Sequence, residues 1–152
     1  VVGEGYNVVI NVIAFNYGNN TENLNVTIYA NTSIINTFTD IALTDRQSII
    51  IAFIWNTTGF GKGRYIIRAY VEPVSNETDT TDNGYTSGAV TIATPGDINA
   101  DGIVDIFDIV KVACEFGRLP PITYPNADIN NDDICDVFDM VILAANFAKT
   151  NP

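Results

Sequence analysis

Two sets of oxygen-bearing side chains recur in this chain at one spacing. Asp97, Asn99, Asp101, Asp105 and Asp108 stand at positions 1, 3, 5, 9 and 12 of a twelve-residue window, and Asp128, Asn130, Asp132, Asp136 and Asp139 repeat them. Ca²⁺ is a hard ion that takes oxygen ligands, and a twelve-residue loop supplies them from positions 1, 3, 5, 7, 9 and 12. Position 7 gives only a backbone carbonyl, here from Ile103 and Ile134. The expected chemistry is the coordination of two calcium ions.

The two windows belong to a longer repeat. Residues 96–117 and 127–148 align without a gap at a period of 31, with 11 of 22 paired positions identical. Acidic, Asn-rich stretches are commonly solvated loops or helix caps. Nine of the 18 acids fall in these two windows, however, and such crowding repels itself unless a cation is present. Position 6 differs: Gly102 in the first window is Asp133 in the second. A turn there requires a left-handed residue, which costs a non-glycine residue about 1 kcal/mol, so the second site is expected to be the weaker.

A duplicated loop-then-helix unit with Asp at position 12, preceded by Thr94-Pro95-Gly96 and Tyr124-Pro125-Asn126 where an entering helix would stand, resembles the type I dockerin over about 52 residues. The resemblance implies docking to a cohesin-like module. Each loop is followed by a helical pattern with one apolar stripe, Ile109, Val112 and Phe116, then Met140, Leu143 and Phe147. The resemblance implies a partner-reading face at Ile106, Phe107, Val110, Ala113, Cys114 and Arg118, with Val137, Phe138, Val141, Ala144, Ala145 and Lys149 in the second repeat. A second apolar stripe could instead thicken a small core. Many dockerins carry small hydroxyl residues at loop positions 10 and 11, whereas this chain has Ile106-Phe107 and Val137-Phe138, so a familiar cohesin is not assured.

Upstream, residues 1 to 93 read as strands. Val8, Ile10, Val12 and Ala14 alternate with Val9, Asn11, Ile13 and Phe15, and the β-rich runs 25–30, 48–55 and 64–71 follow. Asn16-Tyr17-Gly18-Asn19, Asn56-Thr57-Thr58-Gly59, Gly61-Lys62-Gly63 and Asp82-Asn83-Gly84 supply turns. With Gly3-Glu4-Gly5, Asn25-Val26-Thr27-Ile28-Tyr29 and Glu77 to Asn83, this half resembles the CARDB family of immunoglobulin-like, adhesion-related modules. Thr94-Pro95-Gly96 reads as a linker. The expected fold is therefore two domains: an antiparallel immunoglobulin-like β-sandwich over 1–93, then a small α domain over 94–152 with two calcium loop-helix repeats. Only Val1 and Val2 precede Gly3, which suggests a sandwich completed by an upstream segment or a neighbouring copy.

Composition narrows the function. With 18 acids, 7 bases and no histidine, the chain lacks the cationic clusters that nucleic acid requires. No apolar run approaches the roughly 20 residues of a membrane helix. Glu72, Glu77, Asp79 and Asp82 could imitate a glycosidase pair, but lie in a turn-rich stretch, and an enzyme is not expected. Five Asn-x-Ser/Thr sequons, at Asn19, Asn25, Asn31, Asn56 and Asn76, suggest a glycosylated protein of the cell surface or exterior. Cys114 and Cys135 could form a disulfide or remain two thiols. The expected function is extracellular docking to a protein partner. The alternative is a structural subunit of a surface layer or filament, assembled by strand completion and calcium-domain packing between copies.

Overall fold

Ile51, Phe53 and Trp55 are buried while Ile50 and Ile54 are exposed, the period of 2 that makes Ser48–Asn56 a strand with one face in a core. The computed structural model describes residues 1–150. Seven strands run in order, β1 Val2–Gly3, β2 Asn7–Phe15, β3 Glu22–Ala30, β4 Ser33–Leu43, β5 Ser48–Asn56, β6 Gly63–Val71 and β7 Gly84–Ala93, followed by helices α1 Ile106–Glu115 and α2 Val137–Asn146. A single 3₁₀ turn, Pro125–Ala127, lies between the helices.

One sheet has five strands in the order β1-β7-β6-β3-β4, and β2 pairs with β5 in a second. β3 and β4 form a hairpin from Ala30↔Ser33 to Glu22↔Leu43, with a register shift between Leu24 and Val26. The extra residue on β4 is absorbed by Asp40 at φ 56, whose N–H donates to Asn25 Oδ1 at 3.1 Å, as in a β-bulge. Phe38 of β4 meets Phe53 of β5 edge-on at 5.8 Å, and Trp55 of β5 meets Tyr65 of β6 at 5.9 Å. These rings bring the two sheets face to face.

The expected two-domain layout is corrected. The chain is mostly β with two helices, and its two compact units are not successive: one joins Val1–Val8 and Asn56–Arg64 to everything from Val90 onward, and the other comprises Val9–Trp55 and Tyr65–Ala89. The β part is not wholly antiparallel either, because β1 lies parallel to the end of β7, with Val2 beside Ile92 and Gly3 beside Ala93. A parallel neighbour requires a long crossover, and the chain between β1 and β7 supplies it. Val2 and Gly3 thereby form a strand of their own at the position where a missing strand was expected.

Within the first unit the reasons for this grouping are specific. Tyr6 packs against the core of the helical region, formed by Ile98, Val104, Val112, Ala127, Ile129, Cys135 and Leu143. Thr57, fully buried, accepts from Gly5 N–H at 3.0 Å and donates its hydroxyl to Tyr6 O at 2.7 Å. The expected linker is also packed: a Cβ added to Gly96, at φ 102, would lie 3.1 Å from Leu143 Cα. Sequence spacing reads Thr94-Pro95-Gly96 as a break, which it is for the strand. It cannot reveal that the backbone is pressed against α2.

Candidate metal centre and helix faces

Each helix starts the same way. Asp105 accepts from Phe107 N–H at 2.8 Å, and it forms a capping box with Asp108, the third helical residue, whose side chain accepts from Asp105 N–H at 3.0 Å. Asp136 and Asp139 repeat it at 2.8 Å in both bonds. The other oxygen of Asp108 takes Ile98 N–H at 2.8 Å and Asn99 N–H at 3.2 Å; that of Asp139 takes Ile129 N–H at 2.6 Å and Asn130 N–H at 3.2 Å. Position 12 therefore ties the start of each loop to its end.

The loop bodies match as well. Asn99 accepts from Asp101 N–H and Asp101 from Ile103 N–H, both at 3.0 Å. Asn130 and Asp132 do so for Asp132 and Ile134 at 3.1 and 3.0 Å. Asp97 accepts from Gly102 N–H at 3.1 Å, and Asp128 from Asp133 N–H at 3.0 Å. Gly102 has φ 93 and Asp133 φ 68, so the left-handed turn forms with either residue. A second left-handed position, Ala100 at φ 56 and Asn131 at φ 57, escaped the sequence reading. Ile103 and Ile134, at position 7, are exposed.

Asp97, Asp108, Asp128 and Asp139 are buried, and among the described residues no lysine or arginine pairs with Asp108, Asp128 or Asp139. Burial, with repulsion from Asp108 and Asp101, raises the Asp97 carboxyl above the usual range. Burial, with repulsion from Asp139 and Asp132, does the same to Asp128. Donor chemistry fits a hard cation, since every side chain in the set offers oxygen. The carboxylates are nevertheless turned toward backbone N–H groups, and among the described residues no three His, Cys, Asp or Glu side chains are gathered as a metal group. In this structure the aspartates act as caps and turn acceptors.

Val112 and Leu143 of the expected apolar stripe are buried, with Ile109 and Met140 packed beside them. Phe116 and Phe147 are exposed at 53% and 48%. They are the residues at which the backbone leaves the helix, at ψ 127 and 139, so a helical period no longer points them inward. The second stripe is outside: Ile106, Phe107 and Val110 are exposed at 57%, 64% and 52%, and Val137, Phe138 and Val141 at 53%, 62% and 59%. Ala113, Cys114, Ala144 and Ala145 are exposed beside them. Arg118 pairs with buried Glu115 at 3.3 Å, and Lys149 bonds Asn146 at 2.8 Å. Glu115 also accepts from Tyr124 N–H at 3.2 Å. That anchoring of the inter-repeat segment was not anticipated, because nothing in the sequence distinguishes this acid from a solvated one.

Both cysteines are free thiols, Cys114 exposed and Cys135 buried. Burial, then nearby carboxylates, pushes the Cys135 thiol up to about 11. The sequon asparagines Asn19, Asn31, Asn56 and Asn76 are exposed. Asn25 is half-buried, and its amide donates to Glu72 at 2.9 Å.

No family model matches the chain, and no curated protein does. Among solved structures, the crystal structure of a CARDB domain from Pyrococcus furiosus in complex with di-metal ions is similar at a TM-score of 0.54 and 23% identity, covering 61% of this chain and 84% of that one. A type II cohesin–dockerin structure from Bacteroides cellolosolvens is 36% identical at a TM-score of 0.35, over 40% of this chain and 95% of that one. A mutant type II cohesin–X–dockerin complex from Acetivibrio cellulolyticus is 14% identical at a TM-score of 0.32, over 84% and 83%. The structural neighbours thus include a CARDB domain and cohesin–dockerin complexes, and the first likeness is one of fold.

Proposed function

We propose that this chain is a calcium-dependent protein-docking module that works outside the cell, as a binding part and not as an enzyme. The observation that carries the reading is the doubling of one loop, with the same capping and turn bonds from positions 3, 5, 9 and 12, around four buried aspartates at positions 1 and 12 of the two copies. The first ion would be held by Asp97, Asn99, Asp101, Asp105, Asp108 and the Ile103 carbonyl, and the second by Asp128, Asn130, Asp132, Asp136, Asp139 and the Ile134 carbonyl. Bound calcium would offset the negative charge of the crowded carboxylates. Free lone pairs remain for it, because a carboxylate has about four acceptor sites.

Docking rests on the exposed pairs Ile106-Phe107 and Val137-Phe138. Large apolar side chains at the start of both helices are poor solvent contacts and good anchors for a protein partner. Glycosylation at exposed sequons such as Asn31 and Asn76 belongs to the same extracellular reading. Calorimetric titration of calcium into chelator-stripped chain should count two ions, and Phe107→Asp with Phe138→Asp should abolish capture of a type II cohesin. A chain that takes up no calcium would end the proposal.

A further inference from the structure

The outer face of the two-stranded sheet is a second, largely apolar surface, separate in sequence from the helix pairs, with the uncharged Asn7, Asn11, Ser48 and Asn56 among its exposed residues. Val9, Ile13 and Phe15 of β2 are exposed at 69%, 70% and 43%, and Ile50 and Ile54 of β5 at 67% and 64%. The chain carries 18 acids and 7 bases, yet neither strand holds a charged residue. A strand with water on one face ordinarily alternates apolar with polar residues, whereas a near-continuous apolar run marks one covered on both. Ser48–Asn56 reads SIIIAFIWN, the pattern of a strand covered twice.

We infer that a second copy of this chain covers this face, the β2–β5 sheets of two copies stacking on each other about a two-fold axis. A two-fold interface must be complementary to itself, and an uncharged apolar sheet meets that condition where a charged one would not. Two chains of net charge −11 repel over most of their surfaces, and least across a patch that carries no charge. The exposed parts of these five side chains, with Tyr17 at the rim, amount to roughly 600–800 Å² per copy, near the ~800 Å² per partner of a standard specific interface. Patches of this size exceed what monomers usually expose.

Sedimentation equilibrium of the calcium-loaded chain between 1 and 200 µM tests this, as orders of magnitude bracketing an ordinary micromolar interface. The expected result is a shift from 16.5 kDa to twice that mass. Ile13→Lys and Ile54→Lys should each raise the dissociation constant about 100-fold, as burying an unpaired charge does, while circular dichroism and melting stay near those of the parent. Should either lysine variant fail to fold, Ile50→Ser and Ile54→Ser carry the same comparison. A parent that stays monomeric throughout overturns the inference. So does a dimer that survives these substitutions, or one lost instead with Phe107→Lys, which would assign association to the helices.

Discussion

Val104 and Cys135, the eighth residues of the two loops, are buried equivalents, each bonded to the segment that leaves the other repeat's helix. Val104 N–H donates to Lys149 O at 3.0 Å and Val104 O accepts from Ala148 N–H at 2.8 Å. Cys135 N–H donates to Arg118 O at 3.3 Å and Cys135 O accepts from Gly117 N–H at 2.7 Å. The repeats are therefore cross-braced, and neither can be loosened alone. Val104→Ala should cost about 2 kcal/mol, and its effect should combine non-additively with Cys135→Ala, since both residues line one core. Denaturant unfolding in calcium measures both singles and the double; strict additivity would show the repeats to be independent.

Position 12 does two jobs under the calcium reading, and position 5 does one. Asp108 holds three backbone N–H groups without any metal, so Asp108→Ala should destabilise the chain by about 3 kcal/mol even in chelator. Asp101 bonds only within its exposed turn, and Asp101→Ala should lower stability in calcium while leaving the chelated protein within about 0.5 kcal/mol of the parent. Melting curves with and without calcium separate the two. Equal losses in both conditions for Asp101→Ala would remove the ion from the explanation.

The sequence made some parts of this molecule legible and hid others for physical reasons. The spacing of Asp and Asn marked both turn-rich segments and both helix starts, because Asx side chains cap helices and close turns. The strands were legible because alternation is local. What was hidden is non-local: Tyr6 joining the helical core, Thr57 bonding the Gly3–Tyr6 turn, and Gly96 lying against Leu143 are contacts across 47 residues of chain or more. No period or motif encodes such contacts. The expected apolar stripes overran each helix by one residue for a local reason, since Phe116 and Phe147 continue the apolar spacing at the point where the backbone leaves the helix.

Acid should act in opposite directions with and without calcium. Asp97 and Asp128 have folded pKa values raised above those of the unfolded chain, so the folded state binds more protons than the unfolded one. In chelator, stability should then fall as pH rises from the ordinary aspartate value, about 3.9, through their raised values, and be lowest at neutral pH. In excess calcium the ion must displace those protons, and its stabilisation grows as they leave. Scanning calorimetry from about pH 4, the ordinary aspartate value, up to neutrality should show the calcium-dependent gain in melting temperature increasing with pH. A gain independent of pH would mean that these two carboxylates are not ligands.

Gly117 and Ala148 occupy the same position in the two repeats, one residue past the cap of each helix, and both are left-handed, at φ 77 and 62. Glycine adopts that conformation freely, whereas alanine meets a clash of its Cβ with the backbone that costs about 1 kcal/mol. Among the described residues nothing lies within 4 Å of a Cβ built on Gly117, so the penalty there is conformational and not one of packing. Ala148→Gly should accordingly stabilise the chain by about 0.5–1 kcal/mol, after allowing for the greater freedom glycine has in the unfolded state. Gly117→Ala should destabilise it by a similar amount. Exchanging the two residues should leave stability nearly unchanged, because one strained alanine is traded for another. Denaturant midpoints for the three variants, at saturating calcium, read this directly. If Gly117→Ala were tolerated without loss, the left-handed turn that lets Gly117 N–H reach Cys135 O would not be fixed in solution.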